Sequence, residues 1–301
     1  MADVFWWFPG QGTQKLGMGR ALAERSTVAA ALFDEMREAL GFDLTAIMWG
    51  DDEAELTATQ NAQPAIVAVA VACLRVWLSR NPEHDTSVWA AGHSIGAIAA
   101  AIASEHLTFV EGIRLARRRG EIMAEAPGTG GMLAVIVRSE ETRAQCDAAA
   151  ADLGVDIAAR NGNHQIVLSG DKALLEQARG MIDARTVPLT VSHGFHSRLM
   201  TPVQPAWDEI IAATTFTDST IGFVGSATGE LTLSGAAVAD DLRLGLCHPV
   251  RWDKVISQAT SASAGFVFGP GKALINFWKP RPPEITIDLI DEAALVAQGD
   301  N

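Results

Sequence analysis

The sequence predicts an α/β protein. An α/β-hydrolase-like parallel-sheet core, residues 1–127 and 198–301, is interrupted by a ferredoxin-like small domain, residues 128–197. Three observations carry this reading. A Gly-x-Ser-x-Gly turn, Gly92-His93-Ser94-Ile95-Gly96, stands directly between a strand pattern and a helix pattern. The flanking chain alternates strand and helix patterns, as a parallel sheet requires. After Pro127 the texture changes to short elements in the order β-α-β-β-α-β, the split βαβ arrangement.

Taken in order, Val4 to Phe8 is a continuous apolar run closed by Pro9-Gly10, which predicts a strand buried on both faces. A glycine-rich loop follows, then helical patterns at about 20–40 and 62–79. The second of these is expected to open near Gln63-Pro64, since proline suits the first turn of a helix. A strand at 88–91, the Gly92–Gly96 turn and an alanine-rich helix at 97–104 succeed one another with no spare residues. Thr108 and Glu111 form a capping box that starts a helix running to about Ala124. One stripe of that helix carries Leu115, Ala116, Arg119, Gly120 and Met123; the opposite stripe carries Arg114, Arg117, Arg118 and Glu121. The inserted module reads as strand 132–137, helix 139–152, strands 155–159 and 165–169, helix 171–184 and strand 186–191. The core is expected to end with a strand at 265–268 before Gly269-Pro270-Gly271-Lys272, and the last few residues to fray.

Composition narrows the function classes. The 301 residues are 48% hydrophobic and 20% charged, which suits a buried core and excludes disorder. The longest apolar run, 65–74, stops at Arg75, short of the roughly 20 residues a membrane span needs. Asp3 stands where a secretory leader carries a base, and three cysteines, Cys73, Cys146 and Cys247, are too few and too scattered for a disulfide framework or a zinc pattern. A cytoplasmic location is the expectation. Thirty-six acidic against 23 basic residues give a net charge of −13, which repels nucleic acid. An acidic partner must therefore find a local basic patch.

The Gly92–Gly96 turn is a nucleophile elbow, in which small residues allow a strained turn to raise the Ser94 hydroxyl above the sheet edge. The following helix directs its N-terminus at the site, so the Ile95 N–H can stabilise an oxyanion. A serine hydroxyl needs a base, and there are seven histidines. His84 and His106 fall in predicted loops, His93 points to the other side of the turn, and His164 lies inside the small module. His193, His196 and His248 remain. The pair His193-x-x-His196 has metal-ligand spacing but lacks a third ligand nearby. Arg119, a charge on an apolar stripe, must meet an anion, either an internal carboxylate or that of a substrate. Gly269-Pro270-Gly271-Lys272 is not a phosphate loop, because Ala273 replaces the required hydroxyl residue and Pro270 has no N–H.

Seven motifs in order make the chain resemble malonyl-CoA:acyl-carrier-protein transacylases and the acyltransferase domains of polyketide synthases. They are Phe8-Pro9-Gly10-Gln11-Gly12-Thr13-Gln14, Gln63-Pro64-Ala65, the Ser94 elbow, Arg119-Gly120-x-x-Met123, His193-Gly194-Phe195-His196-Ser197, Pro249-Val250-Arg251-Trp252 and Gly269-Pro270-Gly271-Lys272. The resemblance implies Ser94 as acyl nucleophile, His196 as its base, and the N–H groups of Gln11 and Ile95 as the oxyanion hole. It implies that Arg119 grips the malonyl carboxylate, that Gln63 lines the pocket with Asn161 near the site, and that a carbonyl near Cys247-His248-Pro249 orients the histidine. His193-Gly194-Phe195-His196 resembles the malonyl-selecting form of its motif, with Phe195 crowding an α-methyl group. Ala97 stands where the family commonly has glutamate, an ending also similar to the malonyltransferase subunits of malonate decarboxylases. The implied reaction needs no metal or nucleotide cofactor, only a coenzyme A thioester and the phosphopantetheine of an acyl carrier protein. Arg117, Arg118, Arg198 and Lys272 are the candidate docking residues for that carrier. Rival readings are a serine hydrolase clearing stalled acyl carriers and a catalytically silent docking protein.

Overall fold

The computed structural model describes residues 4–84 and 88–298; Asp3 and the terminal residues expected to fray lie outside the described residues. Among the described residues ten strands, β1 Val4–Phe8, β2 Val88–Gly92, β3 Gly130–Ile136, β4 Asp156–Asn161, β5 Gln165–Asp171, β6 Thr186–Pro188, β7 Gly222–Val224, β8 Leu231–Thr232, β9 Ala264–Phe268 and β10 Thr286–Ile290, form two sheets. The six-stranded sheet has the order β10-β9-β1-β2-β7-β8 and the four-stranded one the order β4-β5-β3-β6.

In the larger sheet β1 is the buried centre, as its unbroken apolar run requires. It pairs in parallel with β2 from Val4 opposite Val88 to Phe8 opposite Gly92. That register ends both strands at one edge, so the glycine-rich loop after β1 and the elbow after β2 emerge side by side. The His93 N–H donates to the Phe8 carbonyl at 2.9 Å. Two expectations need correction. The sheet is mixed, because β8 turns back antiparallel to β7. Nor is 265–268 the last strand: β10 lies parallel beside β9, its alternating Thr-Ile-Asp-Leu-Ile suited to an edge with one buried face. The smaller sheet is antiparallel throughout. It is tied to the larger unit by Val250, whose N–H donates to Ala158 and whose carbonyl accepts from Arg160, both at 2.9 Å.

The helices also correct the reading in two places. The pattern at 20–40 is two helices, Arg20–Arg25 and Thr27–Leu40, because Ser26 is extended and caps the second through the Ala29 N–H. The next helix spans Thr59–Arg80, so Pro64 lies inside it rather than at its start. Proline offers no N–H to the Gln60 carbonyl, and Arg117 Nη1 takes that place at 3.1 Å. At 22 residues this helix is long and apolar enough to cross a membrane by length and composition, yet 83% of its most apolar window is buried in the protein.

The helix Phe109–Ala124 carries the capping box and the two stripes expected of it. It packs closely against Thr59–Arg80 at Gly120, where a Cβ would lie 2.6 Å from the Gln60 Cα and from the Thr59 carbonyl oxygen. Gly120→Ala is therefore expected to destabilise the protein by about 1–3 kcal/mol despite alanine's better helix propensity, because backbone must move. Urea unfolding measures this; an unchanged or raised midpoint would show that the helices separate freely.

Candidate active site

The elbow is built by its glycines. A Cβ on Gly92 would fall 1.9 Å from the Gly96 carbonyl carbon, and one on Gly96 would lie 2.3 Å from the Phe8 carbonyl oxygen. Ser94 sits at the apex with φ 55°, a left-handed conformation rare for serine. Its Oγ is 2.7 Å from His196 Nε2. His196 has the same φ of 55°, and its Nδ1 lies 3.1 Å from the His248 carbonyl oxygen. A carbonyl can only accept, so Nδ1 carries the proton and Nε2 is free to accept from Ser94. Burial, then the positive charge of Arg119, then His93, push the His196 pKa down to about 3.

His193, His248 and His93 are engaged elsewhere. His193 Nδ1 pairs with Ser192 Oγ at 2.9 Å, and the exposed His248 ring bonds to the Leu244 carbonyl at 3.1 Å. His248 thus contributes its carbonyl, one of the group expected near 247–249. His93 Nε2 meets Asn161 Oδ1 at 2.8 Å, which places Asn161 behind the elbow rather than beside the Ser94 hydroxyl. Phe195 is buried in the core and its ring lies 6.0 Å from that of His193.

Arg119 is 4% exposed, and among the described residues no carboxylate lies within ion-pair distance of it. Nη1 donates to Gln63 Oε1 at 3.0 Å and Nη2 to the Gly245 carbonyl at 3.2 Å. Burial lowers its pKa to about 10, which still leaves it charged at neutral pH. The internal salt bridge that the sequence left open is absent among the described residues. Gln63 is fully buried and backs the guanidinium. Its amide donates to Thr59 Oγ1 at 2.9 Å, and Thr59 Oγ1 donates to Gln11 Oε1 at 2.9 Å. A relay of neutral side chains therefore joins Arg119 to the loop after β1. Among the described residues the N–H groups of Gln11 and Ile95 have no protein acceptor. Ser94, Arg119 and His196 share one cleft, whose wall also includes Ala97, Ser226, Asp241 and Gly245.

Thr59, Ser226, Asp241 and Gly245 were not legible as site residues. Each acts through a partner distant in sequence, and the Gly-Ser-Ala-Thr-Gly run at 225–229 reads alone as an ordinary loop. The basic candidates are also revised. Arg117 turns inward, pairing with Glu121 at 2.7 Å and Asn61 Oδ1 at 2.6 Å and lying over the Phe42 ring. Arg118 is more exposed and shares Glu121, and Arg198 is held by Asp156. Lys272 is exposed, with no ionic partner among the described residues.

Residues 5–268 match the acyl transferase domain family. The malonyl CoA-acyl carrier protein transacylase of Bacillus subtilis is 33% identical over 93% of this chain and 90% of its own length. The crystal structure of the acyl-carrier-protein S-malonyltransferase of Bartonella henselae superimposes with a TM-score of 0.90 at 29% identity, covering 98% of each chain. A malonyl-transacylase solved in complex with its type II PKS acyl-carrier protein gives 0.89 at 30% identity, again over 98% of each chain.

The depressed pKa of His196 has a sign that can be tested. The folded protein resists the proton while the unfolded chain accepts it near 6.5, so stability is lost as pH falls from about 6.5 toward 3. This one residue is expected to account for about 2 kcal/mol of the loss between pH 7 and pH 5. His196→Gln should show a correspondingly shallower dependence in urea titrations at the two pH values; an identical dependence would mean that the imidazole is charged in the folded protein.

Proposed function

This chain belongs to the acyl transferase domain family, and we propose that it moves a malonyl group from malonyl-CoA, through an ester on Ser94, to the phosphopantetheine thiol of an acyl carrier protein. The observation that carries this reading is a buried guanidinium, without a carboxylate partner among the described residues, in the same cleft as a hydrogen-bonded serine and histidine. Such a cation is costly unless it meets an anion, and a malonyl carboxylate supplies one that an uncharged acyl chain does not. This favours a transferase of carboxylated acyl groups over a hydrolase that clears stalled carriers.

The cycle is ping-pong. Ser94 Oγ gives its proton to His196 Nε2 and attacks the thioester carbonyl, while the charge on the carbonyl oxygen is received by the Gln11 and Ile95 N–H groups. Collapse breaks the C–S bond, and the sulfur leaves as coenzyme A with the proton from His196. The carrier thiol then gives its proton to His196 and attacks the ester; Ser94 recovers the proton as the acyl group departs. The His248 carbonyl keeps Nδ1 protonated throughout. The malonyl carboxylate offsets the Arg119 charge that depresses His196, so a bound carboxylated substrate makes the base stronger.

In this reading the six-stranded sheet is a hydrolase-like core over 1–127 and 198–301. The four-stranded sheet, with its β-α-β-β-α-β connectivity and central β5-β3 pair, is a ferredoxin-like module over 128–197. The chemistry needs no cofactor, and a cytoplasmic location suits a coenzyme A thioester donor. His193 and Phe195 shape the acyl site. Exposed Arg118, Arg198 and Lys272 are the places for an acidic carrier to dock. Ala97 in the cleft wall keeps the carrier subunit of a malonate decarboxylase as a second acceptor.

Two outcomes test the proposal. Ser94→Ala should abolish the mass increase of one malonyl group on brief exposure to malonyl-CoA; label persisting elsewhere would overturn the assignment. Arg119→Ala should lower kcat/KM for malonyl-CoA by roughly 30-fold to several thousand-fold, the loss of a desolvated charge-assisted pair. Acetyl-CoA should be used at least as well as before, since the charge opposing His196 is gone. An equal fall for both substrates would make Arg119 a structural residue.

A further inference from the structure

Asp241, in the helix Gly235–Leu244, is 3% exposed, and among the described residues it has no cationic partner. Its carboxylate is held entirely by the turn between β7 and β8. Oδ2 accepts from the Ser226 N–H at 2.8 Å; Oδ1 accepts from the Ala227 N–H at 3.1 Å and from the N–H and hydroxyl of Thr228, both at 2.9 Å. The fit is close, for a Cβ on Gly225 would lie 2.4 Å from Oδ1. A buried carboxylate taking four hydrogen bonds fixes the conformation of the segment that supplies them.

That segment touches the reacting serine. Ser226 Oγ accepts the backbone N–H of Ser94 at 3.3 Å, at the residue whose left-handed φ must be held by its surroundings. The Ser226 carbonyl accepts the Arg251 N–H at 2.7 Å, which ties the same turn to the loop bearing the His248 carbonyl. We infer that Asp241 is a positioning residue for the acyl-transfer reaction: by fixing the Ser226 turn it holds the Ser94 backbone, and so the elbow, in its reactive geometry. The inference rests on the reading of Ser94 as the acyl nucleophile.

Rapid-quench measurement of Ser94 malonylation in the full chain tests it, with a sulfonyl fluoride as a second probe of Ser94 that does not use the Arg119 site. Asp241→Asn keeps the shape but sets an amide against backbone donors, and Ser226→Ala removes the acceptor of the Ser94 N–H. Each is expected to slow both labelling reactions by about 10- to 100-fold, the scale of a small misplacement of a reacting group, with the half-saturating malonyl-CoA concentration within roughly twofold of the parent. Because both act through one hydrogen bond, the double variant should be no more than about threefold slower than the slower single variant. Multiplying losses would make Asp241 a brace of the fold alone and overturn the inference, as would labelling by Ser226→Ala at the parent rate. If Asp241→Asn does not fold, Ser226→Thr decides: it retains the acceptor and should label faster than Ser226→Ala, and equal rates overturn the inference. Absence of Ser94 labelling in the parent protein would instead refute the nucleophile reading.

Discussion

A guanidinium kept charged in the interior, with no carboxylate partner among the described residues, sets the terms for its surroundings. Desolvating Arg119 is expensive, and among the described residues it is met by neutral dipoles, the Gln63 amide oxygen and the Gly245 carbonyl. These partners restrain the side chain without neutralising it, which preserves its attraction for an anion. The helix that bears Arg119 must also lie close against the helix bearing Gln63, and Gly120 is what permits that approach. The packing of the two helices and the contact to the loop after β1 through Thr59 thus meet at one buried charge.

The serine and histidine impose a second constraint of a different kind. Ser94 and His196 both occupy left-handed backbone conformations, which side chains other than glycine adopt only when their surroundings insist. For Ser94 the insistence comes from the sheet register, which ends β1 and β2 together, and from glycines that let Gly96 approach the Phe8 carbonyl. For His196 it comes from the Ser197 side chain, which donates to the Gly194 carbonyl at 2.6 Å and accepts from the Leu199 N–H at 3.2 Å. A backbone carbonyl orients the imidazole where other serine enzymes use a carboxylate. Among the described residues no carboxylate pairs with the imidazole, and the positive charge of Arg119 is among the causes that hold its pKa down.

Features encoded by local rules are legible along the chain. The glycine spacing specified the strained turn at Ser94, the capping box and the apolar period placed Arg119 on a buried stripe, and six short patterns in order described the second sheet. Each needs only a window of residues, because backbone conformation and the buried face of an element follow from neighbours along the chain. What each side chain meets depends on packing between distant segments. His196 reaches Ser94 across 102 residues, and nothing in the spacing distinguished it from His193 or His248. Gln63 supports Arg119 from the neighbouring helix, and Arg117 changes from a free surface charge to the partner of a carbonyl orphaned by Pro64. The edge strand β10, the antiparallel β8 and the turn that presents Ser226 to Ser94 all depend on how distant segments register in a sheet. Hydrogen bonds and ion pairs between such segments form only once packing fixes their separation, so the sequence named the chemistry and the fold chose the partners.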